Sequence, residues 1–292
     1  YTFKKFYNAS LLLYNVLILM KKKNKDITVI ITLYKTPIEN LINLNQYKNF
    51  KNILFEQESN FLSKKKLKKN LDFKFRYFSS KKNIGLSKSS NFLLKKVNTK
   101  YCLFTQADIK ISEKSINQLQ KILSKNKEII FVGPNFKKNK SKKYSFVKKL
   151  NAACMLCDVK KLKKIGFFDE DFFLYWEDIF LMNKINKSNY KMILANNVKA
   201  THGGGKSTVR NLKVQFIRNS NFKYGELLYE YKLIKLRLLK IIRQLFQNII
   251  FLIINLFMFN KNDFFLNLAV ITGILKFLKF YLLKKFFSLL NS

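Results

Sequence analysis

The chain of 292 residues carries 57 lysines and arginines against 17 acidic residues and one histidine, a formal charge of +40, and is 48% hydrophobic and 15% aromatic. That apolar content is enough for a buried core and excludes a disordered chain, while eight glycines and two prolines argue against a loop-rich β fold or a low-complexity protein. The single histidine, His202, excludes a metal cage built from several imidazoles.

The charge itself discriminates little. Arginine stands only at positions 76, 210, 218, 237 and 243, and lysine supplies the rest, alongside abundant asparagine, isoleucine and phenylalanine. This is the profile of an AT-rich coding sequence. A dedicated nucleic-acid binder would need more arginine for bidentate phosphate and guanine contacts, and its basic residues would gather into one stripe. The lysines are therefore read as solvated surface, with attraction to anionic lipid or a phosphorylated substrate as a secondary consequence.

In chain order, residues 1–25 read as an N-terminal extension. The apolar run Leu11–Met20 is too short to span a bilayer, its basic residues follow it instead of preceding it, and a natural start is expected near Met20. From Ile27 the pattern alternates. Ile27–Leu33 is a β-branched run expected to form a buried parallel strand. Pro37 opens a short helix over Ile38–Gln46. Ile53–Glu56 and Phe73–Phe78 read as the second and third strands. A helix over Asn83–Val97, entered through Gly85, and a strand at Tyr101–Thr105 ending in Gln106-Ala-Asp108 come next. Ser112 caps a helix over Ser112–Ser124, and the strand Ile129–Val132 is closed by Gly133-Pro134.

Strands alternating with helices predict an α/β fold with a mostly parallel sheet flanked by helices. Ligands of such sheets sit at the carboxyl ends of the strands, where Tyr34, Glu56, Asn83 and Asp108 fall. No glycine-rich phosphate loop of the dinucleotide or P-loop type is present. Lys137–Lys149 reads as a lysine-rich loop and Leu150–Asp158 as a strand. Cys154 and Cys157 have redox spacing but lie in an apolar run and read as buried small hydrophobes; with Cys102 and no disulfide framework they suggest a reducing compartment.

The most unusual stretch is 165–182. Five of the 17 acidic residues, Asp169, Glu170, Asp171, Glu177 and Asp178, stand within ten positions among Phe167, Phe168, Phe172, Phe173, Tyr175 and Trp176. Carboxylates among large apolar side chains acquire shifted pKa values usable in chemistry. The competing reading puts Glu177 and Asp178 in the first turn of a helix, offsetting its dipole. After a strand at Lys191–Ala195, Ala200–Thr208 holds His202 and three glycines, a pattern that suits backbone approaching an anionic ligand or a plain linker.

Beyond Thr208 the chain changes character. Lys232, Lys235, Arg237, Lys240 and Arg243 recur at helical spacing, Asn248–Phe259 is almost wholly apolar, and Ile271–Leu290 is amphipathic with Lys276, Lys279, Lys284 and Lys285. The apolar runs fall short of the roughly 20 residues that cross a bilayer. They suit either the membrane interface or packing against the preceding domain.

The ordered set Val29–Tyr34, Phe55–Ser59, Asn83-Ile-Gly85 with Asn91, Gln106-Ala-Asp108, Ile165–Asp178 and His202 resembles glycosyltransferase family 2, and within it the rhamnosyltransferase-like branch. The resemblance covers about residues 26–208, leaving 209–292 as a C-terminal helical extension. It implies a GT-A fold and an inverting transfer of a sugar, rhamnose by the branch resembled, from a nucleotide-diphosphate sugar to an acceptor hydroxyl. It also implies a lipid-linked saccharide acceptor in cell-surface polysaccharide assembly, at the inner face of the cell membrane. By that resemblance Asp178 is the catalytic base, supported by Glu177. Thr32, Tyr34, Glu56, Asn83, Gly85, Asn91, Gln106 and Asp108 face the donor, and Asp169 and Trp176 the acceptor. Asp108 and His202 would hold a divalent cation, Mn²⁺ or Mg²⁺, whose charge a diphosphate leaving group requires.

Four positions depart from the family pattern. Gln106 stands where a first acidic or asparagine residue is usual. Glu56 replaces a shorter aspartate. Phe180 and Lys184 stand where an aspartate and an arginine follow the acidic pair. Two alternatives accompany the enzyme reading: a basic protein for anionic surfaces or nucleic acid, carried by the charge of +40, and a family member that binds donor without turnover, carried by Gln106 and Phe180.

Overall fold

The computed structural model describes residues 24–59, 64–137, 143–204, 207–209 and 211–290; the run Leu11–Met20 and the expected start at Met20 lie outside them. Eight strands form the main sheet: β1 (Ile27–Leu33), β2 (Lys51–Glu56), β3 (Arg76–Ser79), β4 (Tyr101–Thr105), β6 (Ile129–Asn135), β7 (Ser145–Val147), β8 (Cys154–Asp158) and β9 (Lys191–Lys199). Their order is β3-β2-β1-β4-β8-β6-β9-β7, and β5 (Ile109–Lys110) pairs with β10 (Thr201–His202) in a separate ribbon. β1 runs parallel to β2 and β4, β2 to β3, and β6 to β9. β8 is antiparallel to β4 and β6, and β7 to β9. This is the expected mostly parallel α/β sheet.

The β-branched run of β1 is buried on both faces because helices cover both. On one side Ile27, Val29, Ile31 and Leu33 pack with Leu41, Leu44, Ile116 and Leu119, from α1 (Ile38–Ile42), the 3₁₀ turn that follows it (Asn43–Tyr47) and the long helix Glu113–Lys125. On the other, Ile30 and Phe104 pack with Leu93, Leu94, Leu181 and Ile185, from the helices Leu86–Lys95 and Glu177–Asn186. With the two short helices Lys64–Asn70 and Val159–Ile165, these make α1 to α6: α2 is Lys64–Asn70, α3 Leu86–Lys95, α4 Glu113–Lys125, α5 Val159–Ile165 and α6 Glu177–Asn186.

Several local expectations are corrected. β6 does not stop at Gly133-Pro134 but runs on to Asn135. Pro134 pairs with Ala195 of β9, and the β6–β9 register shifts directly after it, an irregularity of the kind at which proline is found in strands. The lysine-rich loop holds an edge strand, β7. Helices α2 and α5 were not expected: each buries one leucine, Leu67 or Leu162, among lysines, which leaves no apolar period to read. Asp158 supplies the cap of α5 by accepting the Lys161 N–H at 3.1 Å, and Ser112 caps α4 as expected. Cys102, Cys154 and Cys157 are free and buried. Cys154 and Cys157 pack on opposite faces of the sheet, as an odd spacing on a strand requires.

Three helices follow: α7 (Leu212–Leu233), α8 (Leu238–Phe257) and α9 (Lys261–Leu290). They share a third core in which Leu227, Leu228, Ile241, Ile274 and Phe277 close over Phe172 of the acidic stretch. Gly273 of α9 touches the Ser220 carbonyl of α7 so closely that no side chain fits between them. The helices extend well beyond the apolar runs seen in the sequence. α8, at 20 residues, and α9, at 30, are both long and apolar enough to cross a membrane by length and composition, and the apolar window of α8 is only 6% buried.

Candidate active site

A cleft of about 350 Å³ opens at the carboxyl ends of β1 and β4 and the start of β8. Eight of the predicted site residues line it: Thr32, Tyr34, Asn83, Gly85, Gln106, Glu177, Asp178 and His202. Local geometry explains how each arrives there. Asn83 accepts the Gly85 N–H at 2.9 Å, a short side-chain turn that swings the chain into α3. Gly85 sits at φ +88, and a Cβ there would lie 2.6 Å from the Phe173 carbonyl oxygen. The same oxygen accepts the Leu86 N–H at 2.7 Å. Gly85 thus lets the Asn83–Gly85 loop touch the acidic stretch backbone to backbone.

The acidic pair opens α6, as the dipole reading required, and also faces the cleft, as the catalytic reading required. Tyr175 and Trp176 both adopt left-handed backbone, φ 68 and 70. Two consecutive bulky residues in that region mark stored strain of the kind found at functional sites. The bend delivers Glu177 and Asp178 into a desolvated setting. Glu177 is 5% exposed, and its Oε2 has no hydrogen-bond partner among the described residues. Burial first, then repulsion from Asp178, raises its pKa. Asp178 is raised by burial too, partly offset by the Ile179 N–H, which it accepts at 2.8 Å, and by the charge of Lys149.

His202 of the β5–β10 ribbon lines the same cleft. Ile109 pairs with His202 in its register, which sets His202 Nε2 3.5 Å from Asp108 Oδ2. Gly203 donates its N–H to the Asp108 carbonyl at 2.9 Å and brings the chain so near that a Cβ would stand 3.1 Å from the Asp108 Cβ. One carboxylate and one imidazole suit Mn²⁺ better than Mg²⁺, which favours oxygen alone. Among the described residues no group of three or more metal-binding side chains gathers.

Five predicted residues fall outside the cleft lining. Asn91 is spent internally: it donates to the Phe168 carbonyl and Glu170, each at 2.9 Å, and accepts the Phe168 N–H, tying α3 to the acidic stretch. Asp169 and Asp171 each accept from Lys232 Nζ of α7 at 2.7 Å, and Lys232 also lies over the Phe180 ring. Trp176 packs at a tilt against the rings of Phe222 and Tyr229 of α7. Asp169, Trp176 and Phe180 thus hold the C-terminal helices. Asp108 stands behind His202. Glu56 ends β2 fully buried, with neither carboxylate oxygen hydrogen-bonded among the described residues.

Sequence reasoning missed Gln57 and Arg218. Gln57 accepts the Ile84 N–H and donates to the Gly85 carbonyl and Ser89 Oγ, fixing the Asn83–Gly85 loop from below. Its position directly after the end of β2 was the available signal. Arg218 lines the cleft from α7.

Residues 28–181 match the family described as glycosyl transferase family 2. No curated protein matches the chain. Among solved structures, a mannosyltransferase, PcManGT from Pyrobaculum calidifontis in complex with GDP-Man and Mn²⁺, is similar over 93% of this chain and 95% of its own, at 13% identity and a TM-score of 0.53. TarS of S. aureus is similar over 71% of this chain, at 13% identity and a TM-score of 0.47, and this chain covers 44% of it. TarS 1–349 in complex with UDP-GlcNAc is similar over 71% of this chain and 73% of its own, at 12% identity and a TM-score of 0.46. At 13% identity the mannosyltransferase likeness speaks for the fold alone, the GT-A arrangement expected from the sequence. The family match spans more than half of the residues and includes the β1 and β4 ends and the Glu177-Asp178 pair: the chain belongs to glycosyl transferase family 2.

Proposed function

We propose that the protein is an inverting glycosyltransferase that moves a sugar from a nucleotide-diphosphate sugar to an acceptor hydroxyl. The observation that carries this reading is the gathering of unlike groups in one cleft, the desolvated Glu177-Asp178 pair and His202, which is backed by Asp108 at 3.5 Å. The acceptor oxygen attacks the anomeric carbon, the bond from that carbon to the diphosphate oxygen breaks, and Asp178 takes the hydroxyl proton. A carboxylate with a raised pKa is a better proton acceptor than an exposed one, and such help contributes about 10²–10⁴-fold. Glu177, more deeply buried, orients Asp178 and keeps water from the base. Asp108 and His202 would hold the divalent cation, which when bound neutralises charge on the leaving diphosphate. The mannosyltransferase of similar fold was captured with GDP-Man and Mn²⁺, the donor class and ion proposed here. A panel of dTDP-rhamnose, UDP-GlcNAc and GDP-mannose, assayed for hydrolysis and transfer with and without MnCl₂, tests the reading. Turnover of none of these, together with no binding of their nucleoside diphosphates, would sink it. Rhamnose as the donor sugar follows the rhamnosyltransferase-like motif order.

The acceptor reading, a lipid-linked saccharide for surface polysaccharide, draws support from the α8–α9 hairpin. Residues 244–260 and 264–275 carry no charge. Lys235, Arg237, Lys240 and Arg243 precede the first stretch, and Lys276, Lys279, Lys284 and Lys285 follow the second. Ile241 packs with Ile274 and Phe277, so both basic sets lie at one level and the tip, with Phe257 76% and Phe259 93% exposed, extends roughly 25 Å beyond them at 1.5 Å per residue. Apolar tips below a basic belt suit the anionic cytoplasmic face of a membrane. The protein is expected to co-float with phosphatidylcholine vesicles containing phosphatidylglycerol. Changing Phe257, Met258 and Phe259 together to serine should abolish flotation. Flotation unaffected by that change, or lost merely by raising salt, would show that the tip does not insert.

A further inference from the structure

Arg218 is the one lysine or arginine, among the described residues, whose side chain lines the cleft, in a chain with 57 basic residues. It lies on α7, outside the 28–181 family match, on the same helix face as Val214 and Ile217, which also line the cleft. Its Nε donates to the Tyr175 hydroxyl at 2.6 Å, and its guanidinium carbon stands 5.9 Å from the centre of the Tyr175 ring. Tyr175 is itself fixed by its left-handed backbone and by Gly225 of α7, where a Cβ would stand 2.9 Å from the Tyr175 carbonyl oxygen. One edge of the guanidinium is therefore engaged and its plane set.

The other edge is not used by the described residues. Arg218 makes no ion pair with Glu177, Asp178 or any other described carboxylate, and its terminal nitrogens make no hydrogen bond to described residues. A guanidinium held by its Nε edge, with its two terminal N–H groups turned to a cleft, is a preformed fork for two oxygens of one anionic group. Ser207 and Thr208, which also line the cleft, add hydroxyl donors without charge.

We propose that Arg218 is the phosphate-reading group of the cleft, taking non-bridging phosphate oxygens on its terminal nitrogens while Tyr175 holds it in register. The inference rests on the glycosyltransferase reading, because that reading brings phosphate here in two forms: the donor diphosphate and the phosphate of a polyprenyl-linked acceptor. It also makes the C-terminal helices part of the site, since the helix that packs on the hairpin carries the fork.

The test titrates UDP, GDP and dTDP in MnCl₂, and separately farnesyl diphosphate in detergent, into the full-length protein and the variants R218Q, R218K and Y175F. Arg218→Gln is expected to weaken diphosphate binding about 10- to 100-fold without lowering the melting temperature. Arg218→Lys, which keeps the charge but not the fork, should recover part of the loss, and Tyr175→Phe should lose several-fold. Uridine, guanosine and thymidine, which lack phosphate, should bind all forms alike. A loss confined to the nucleoside diphosphates assigns the fork to the donor; one confined to farnesyl diphosphate assigns it to the acceptor. Unchanged affinity for both in Arg218→Gln overturns the inference while the enzyme reading stands. Wild-type protein that binds none of the probes overturns both. Should Arg218→Gln fail to fold, Arg218→Lys and Tyr175→Phe decide it by the same comparison.

Discussion

Asp178→Asn is expected to cut turnover by about 10²–10⁴-fold while the protein binds nucleoside diphosphate and melts much as the parent does. The substitution keeps the shape and the hydrogen bond from the Ile179 N–H but removes the only function assigned to the side chain, acceptance of a proton. Burial makes the claim sharper through pH. Because burial raises the Asp178 pKa, the base ionises at a higher pH than an exposed aspartate does. The rate should therefore fall as pH drops through that raised value, and Asp178→Asn should lack this acid limb. Glu177→Gln gives the contrast: a smaller loss, with the acid limb kept, because Glu177 serves the base without meeting the substrate proton. Turnover of Asp178→Asn within tenfold of the parent, or an acid limb preserved in it, would assign the base elsewhere.

How much of this was legible beforehand follows from where the signals lie in the chain. β1 could be read because burial on both faces forces a run of β-branched residues, and α4 because Ser112 announces its own cap. The start of α6 was legible from carboxylates crowding one turn. Helices α2 and α5 were not, since one leucine among lysines has no period. The misplaced residues share a different cause. Asp169 and Trp176 stand in the family's motif, yet their partners, Lys232 and Tyr229, come from a helix some sixty and fifty residues later, and local pattern carries no information about such pairing. Phe180, a departure from the family in sequence, is explained the same way: it packs 5.2 Å from Phe172 under Lys232, where the C-terminal helices seal the acidic stretch. Arg218 had a faint signal, as one of five arginines in a lysine-rich chain. Its direction into the cleft depends on the packing of α7 against Tyr175, which only tertiary structure supplies.

Glu56→Gln is expected to stabilise the protein, and to do so only above acid pH. Glu56 is fully buried at the end of β2, beside Leu33 of β1 and Ser79 of β3, with no hydrogen bond to either carboxylate oxygen. Burial, then the charge of Glu58, pushes its pKa to about 8 from an ordinary 4.5, and Tyr77 nearby is raised partly by Glu56 in return. The sign follows from linkage. Below about 4.5 both folded and unfolded chains hold the proton, and Glu56 costs nothing through ionisation. Between that value and about 8 the unfolded chain releases the proton and the folded one keeps it, so stability falls as pH rises and levels off above. Glutamine does not ionise and fills the same volume. Its advantage should be near zero at pH 4.5 and reach about 2–5 kcal/mol at pH 8.5, several degrees in melting temperature for a chain of this size. A variant destabilised equally at both pH values would show that the carboxyl is paired in solution. The same variant separates burial from use. An acid kept unpaired beside a cleft is a cost unless a ligand takes it up, so if Glu56 holds the donor base or ribose, Glu56→Gln should gain stability and lose nucleotide affinity together. A gain in stability with affinity intact would leave Glu56 outside donor recognition.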